Sequence, residues 1–89
     1  MNSVQIARKI ADMYIGLGYY VSNVARSKMD GAYMFVVDDR NATGGKVNDP
    51  ILVYVFDKTH QVKFEPFNVS GKSSASELER LFLDFVLSL

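Results

Sequence analysis

The sequence predicts a two-layer α+β domain of order α-β-β-β-β-α, with two helices and a four-stranded antiparallel meander. Three features carry that expectation. Apolar residues recur at helical spacing near both ends of the chain. Between them lie four short runs of β-branched and aromatic residues, separated by glycine, proline and aspartate. The chain has 89 residues, enough for a single domain spanning 1–89 and too few for two.

The first helix is expected from about Ser3 to Leu17, because Ile6, Ile10, Met13 and Leu17 share one face that Ala7 and Tyr14 widen. Asn2 or Ser3 caps its start by accepting a hydrogen bond from an early amide. Gly18 ends it as a left-handed cap. Tyr19 to Arg26 reads as the first strand, rich in aromatic and branched side chains. Asp30-Gly31 signals a two-residue turn, from which Ala32 to Val37 returns as the second strand. A polar loop with two glycines, Asp38 to Pro50, precedes the third strand, Ile51 to Phe56. Asp57-Lys58-Thr59-His60 then turns the chain into the fourth strand, Gln61 to Phe67.

The strands differ in burial pattern. Val62 and Phe64 alternate with Gln61, Lys63 and Glu65, so the fourth strand has one dry face and one wet face. Pro66 cannot donate to a ladder and suits an edge. The second and third strands are apolar on both faces, as central strands covered on both sides are. Ser74 and Glu77 form a capping box that opens the last helix. Its main stripe is Leu78, Leu81, Phe82, Phe85 and Leu89, and Leu83, Val86 and Leu87 carry apolar surface further around the cylinder.

Composition narrows the function classes. Without cysteine there is no disulfide, and with one histidine there is no zinc ligand set; no cofactor or metal is expected. Ten basic and ten acidic side chains cancel and are scattered. Nucleic-acid binders draw affinity from basic clusters, so neutrality counts against that class. The N-terminal residues lack the basic start and apolar core of a signal peptide. The longest apolar run, Leu81–Leu87, is broken by Asp84 and is too short to span a membrane. A cytoplasmic protein with no membrane contact is expected, and the sequon Asn41-Ala42-Thr43 is then a chance match.

A shortage of cover points to a partner. If both helices pack on one face of the sheet, the other face keeps a set such as Met34, Val36, Leu52, Tyr54 and Phe56, or its alternate, in water. That patch is on the order of several hundred Å², more than most monomers expose. Covering ~500 Å² would contribute roughly 12 kcal/mol gross, much of it offset by the costs of association. If the helices instead sandwich the sheet, only residues such as Leu83 and Leu87 are left over. Adjacent Tyr19 and Tyr20 must face opposite ways on a strand, leaving one for a contact. Arg40 and Lys46 flank Gly44-Gly45 in a loop that is either a solvated excursion or a recognition loop ordered by a partner.

Four chemical readings compete with protein binding. Ser70-Gly71-Lys72-Ser73 between a strand and a helix has the local look of a phosphate loop, with Gly71, Lys72 and Ser73 as anion ligands. The full motif needs a glycine where Pro66 stands, so a serine-rich helix cap is the better account of the segment. The order helix, meander, helix resembles the double-stranded-RNA-binding fold, whose last helix opens on a lysine cluster; here Lys72-Ser73-Ser74-Ala75-Ser76-Glu77 carries one lysine and then an acid. A metal-dependent nuclease core would need an acid on one strand and acid-x-Lys on the next. Asp38, Asp39, Asp49 and Asp57 lie near strand ends, but the second element reads Gln61-Val62-Lys63, with an amide in place of the acid. His60 sits in a tight turn beside no serine, and no cysteine exists for it to activate.

The expected function is therefore non-enzymatic: a small protein-binding regulator, adaptor or inhibitor that occludes a surface and pairs with itself as a homodimer. Its candidate contacts are Tyr19, Tyr20, Met34, Tyr54, Leu83, Leu87, Arg40 and Lys46. Accessory proteins of phages and other mobile elements share this size and neutrality. The alternative is a nucleic-acid or phosphate-ligand module built on Gly71, Lys72 and Ser73.

Overall fold

The computed structural model describes residues 2–28, 31–38, 50–67 and 72–88, with the backbone alone at 72 and 73. It is a small α+β domain. Helix α1 spans Ser3–Gly16 and helix α2 Lys72–Leu87. Between them lie β1 (Tyr20–Val21), β2 (Ala25–Arg26), β3 (Ala32–Asp38), β4 (Ile51–Phe56) and β5 (Val62–Pro66). All pairings are antiparallel, in the order β1-β3-β4-β5, with β2 also on β3.

Local chemistry sets the ends of α1. Asn2 accepts from the Gln5 amide at 3.0 Å while the Gln5 side chain accepts from the Asn2 amide at 3.1 Å, a reciprocal capping box. At the other end Tyr19 N–H donates to the Tyr14 carbonyl and Gly18 N–H to that of Ile15. Gly18 adopts φ +94, which a side chain would strain. Helix α2 starts at Lys72, so Ser74 lies inside its first turn rather than at the expected cap.

The expected first strand is interrupted. Tyr20 and Val21 pair with Asp38 and Val37, whereas Ala25 and Arg26 pair with Met34 and Tyr33. Ser22, Asn23 and Val24 thus stand opposite only Phe35 and Val36, a one-residue bulge. The Ser22 amide donates to the Val36 carbonyl at 2.9 Å, and the Ser22 hydroxyl accepts from the Val36 amide at 2.8 Å. The extra residue shifts the alternation by one, so Val21 and Val24, three apart, both reach the core. Of the expected Asp30-Gly31 turn, Asp30 lies outside the described residues; on either side of it Ser27 N–H donates to the Ala32 carbonyl. Gly31 does adopt positive φ, at +69.

Both helices pack on one face of the sheet. A single core joins Ala7, Ile10, Ala11 and Tyr14 of α1 and Ala75 and Leu78 of α2 to Phe35, Val37, Ile51, Val53 and Val55. Val62, Phe64, Leu81 and Phe82 close its side, with the Phe64 and Phe82 rings 5.8 Å apart. The Tyr14 hydroxyl donates to the Leu78 carbonyl at 2.5 Å, tying the helices together beneath the surface. The expectation that the central strands are covered on both sides is therefore not met by the helices. Helix α2 buries one stripe, and Leu83, Val86 and Leu87 remain exposed.

Burial pushes the Tyr14 phenol above the usual tyrosine range, and Tyr19 and Glu79 act in the same direction. The unfolded chain releases this proton near pH 10 while the folded one keeps it, so stability falls as pH rises above about 10. Tyr14→Phe is expected to cost about 1 kcal/mol at neutral pH. Urea unfolding between about pH 9 and 11 should show a shallower decline in this variant than in the parent.

Candidate functional site

The opposite face of the sheet carries the site candidates with the clearest geometry. Cross-strand pairing sets Met34, Tyr54 and Lys63 in one row and Val36, Leu52 and Glu65 in the next. Ala32 and Phe56 form a further row beyond Met34 and Tyr54. None of these side chains belongs to the core beneath the helices. Among the described residues no helix packs on them. Tyr54 is only 6% exposed, flanked by Met34 and Lys63 across the strands and stacked with Phe56 at 6.4 Å between ring centroids. Met34, Val36, Leu52 and Phe56 are half-buried.

The face has an apolar centre because β3 and β4 alternate between two apolar sets, one for each side. Its β5 margin is charged, with Lys63 Nζ 3.5 Å from Glu65 Oε2. Tyr20, paired with Asp38, lies at another margin and is 55% exposed. Tyr19 faces the helices, edge-on to Tyr14 at 5.9 Å. The two tyrosines thus divide between the layers, as strand alternation requires.

Other candidates lie apart. Leu83 and Leu87, at 52% and 84% exposure, mark the outer side of α2, on the far side of the helix layer from the open face. The backbone of Lys72 and Ser73 forms the first turn of α2. Arg40, Lys46, Leu89 and Gly71, together with Asp39 and Asp49, lie outside the described residues. Leu17, expected on the apolar stripe of the first helix, follows the end of α1 and is exposed, and exposed Ile15 and Phe67 were not signalled by the sequence patterns.

Asp38 and Asp57 stand at opposite ends of β3 and its neighbours, since Asp57 N–H donates to the Gly31 carbonyl. By strand rise they are separated by roughly 20 Å, too far to share one metal ion. Among the described residues no group of three histidine or carboxylate side chains is placed to hold a metal. His60 is exposed in the β4–β5 turn at φ 58, a backbone region that histidine tolerates better than most residues.

One polar constellation was not foreseen. The Ser3 hydroxyl donates to Asp57 Oδ1 at 2.6 Å, and Arg26 donates to Asp57 Oδ2 at 2.7 Å. The Arg26 guanidinium also lies 4.8 Å from the centre of the Tyr33 ring. This set joins the start of α1 to β2 and to the turn after β4. No nucleophile–base pairing is present in it, because the serine donates to a carboxylate already engaged by arginine. It is a structural tether.

No family model, curated protein or solved structure matches the chain. Among the described residues no helix is long and apolar enough to cross a membrane.

The hydrogen bond from Arg26, and then that from Ser3, hold Asp57 below the usual carboxylate range. Its contribution is present above the unfolded value near pH 4 and is lost as pH falls through the lower folded value. Asp57→Asn is expected to lower the unfolding midpoint at neutral pH and to flatten the acid limb of the stability profile. Thermal unfolding from pH 7 to 2 checks both.

Proposed function

We propose that this protein is a small protein-binding module that works by docking the open face of its sheet against a protein surface. The supporting observation is the row of Met34, Val36, Leu52, Tyr54 and Phe56 on the side that neither helix covers. Large side chains on a flat strand surface suit a binding face, because each is already held by its cross-strand neighbours and loses little freedom on contact. The half-buried Met34, Val36, Leu52 and Phe56 supply the apolar centre over a buried Tyr54, and Lys63 and Glu65 the polar margin, the usual anatomy of a protein interface. Such a module regulates, adapts or inhibits by occupying a surface.

The test compares Leu52→Lys with the double variant Leu83→Lys/Leu87→Lys. Leu52→Lys should weaken association, with self or with a co-purifying protein, by roughly thirtyfold or more. Its unfolding midpoint should stay near that of the parent, since Leu52 is only half-buried. The α2 variant should associate normally. The opposite pattern would move the docking surface to α2 and sink this reading.

A further inference from the structure

We infer that the occupant of the open face is a second copy of this chain, related by a two-fold axis that runs across the strands at the level of Phe35, Val53 and Phe64. This inference rests on the docking role proposed above. Those three residues are register partners and point toward the helices, so their level separates two adjacent rows on the open face. One row is Met34–Tyr54–Lys63 and the other is Val36–Leu52–Glu65. A two-fold axis at that level, lying in the interface plane, exchanges the rows. It sets Tyr54 over the partner's Leu52, Met34 over the partner's Val36, and Lys63 over the partner's Glu65.

Within these two central rows each match is chemically favourable. A large side chain meets a smaller one at both apolar positions, which lets two facing sheets interdigitate. At the β5 margin the ion pair within each protomer becomes half of a closed ring of four alternating charges. The same geometry is isologous, so every contact occurs twice. At the opposite margin it brings Ala25, opposite Met34, toward the partner's Ser22, which bonds Val36; both are small and uncharged. A parallel stacking of the rows would instead put lysine on lysine and glutamate on glutamate.

Size agrees with a modest contact. The face measures about 20 Å along the strands and about 19 Å across them, or about 400 Å² per protomer. With Tyr54 already buried, the surface available is less than this outline, and even about 800 Å² for the two copies together lies below the standard size of specific interfaces, so a weak, concentration-dependent dimer is expected. The chain's own residues 39–49 are a poor alternative cover, since Ala42 and Val47 are their only apolar side chains.

The decisive experiment is sedimentation equilibrium of four proteins over a hundredfold concentration range: the parent, Lys63→Glu, Glu65→Lys, and the double exchange. Leu52→Lys serves as the dissociated control. The parent should approach twice 10.0 kDa as concentration rises. Each single reversal should weaken the dimer about tenfold, and the double exchange should restore it to within about threefold, because like charges are juxtaposed only in the singles. Singles that dimerise like the parent, beside a Leu52→Lys that does not, would overturn the two-fold register while leaving the docking face intact. A parent that is monomeric throughout would overturn self-pairing; face-dependent capture of another protein would then still uphold docking. If replacing residues 42–47 by a short glycine-serine linker turned that monomer into a dimer, the chain's own loop would be the occupant, and the inference would fail.

Discussion

Tyr14 fixes the arrangement on which the other features depend. Its ring is wholly buried, its hydroxyl reaches across to the Leu78 carbonyl, and the Tyr19 ring meets it edge-on. One side chain thereby holds α1, α2 and the chain entering β1 in a single layer. A buried phenol without a partner would cost about as much as a lost hydrogen bond or more, so the helices cannot separate without leaving it unpaired. Once both helices lie side by side, the second face of β3 and β4 has no helix left to cover it.

The sequence is ambiguous at that point. Apolar alternation on both sides of β3 and β4 shows that both faces want cover, but periodicity carries no information on which side of a sheet a distant helix will choose. Tyr14 looks, in sequence, like one more member of an amphipathic stripe. Its partner is a backbone carbonyl 64 residues away, and no residue type announces such an acceptor. Element positions were easier to see, since the 3.6-residue and two-residue periods and the glycines at 18 and 31 are local signals.

Where the reading failed, the cause was also local. Ser22, Asn23 and Val24 look like ordinary strand residues, and only the register reveals one too many. Four serines at 70, 73, 74 and 76 offered several caps for α2, and the helix starts earlier than the best-matching box suggested. Alternation divides Met34 and Tyr54 from Phe35 and Val53, and Tyr20 from Tyr19, but only the packing of the helices shows which set faces away. The charged margin was half visible: Lys63 and Glu65 marked a wet face, but their place beside an apolar centre required the pairing to β4. The Ser3–Asp57–Arg26 tether joins three segments that sequence spacing does not relate.

The bulge at Ser22–Val24 also bears on how the molecule avoids fibres. A regular edge strand offers a ladder of amides and carbonyls to any other chain. Here that edge is split into two-residue pieces by the bulge. The other edge ends on Pro66, which has no amide proton to offer, and carries Lys63. Growth by adding strands is thus obstructed at both ends of the sheet. The isologous contact proposed above would instead consume the same patch on both molecules and stop at a finite assembly. The sides of the sheet are in this way unfit for endless repetition by strand pairing.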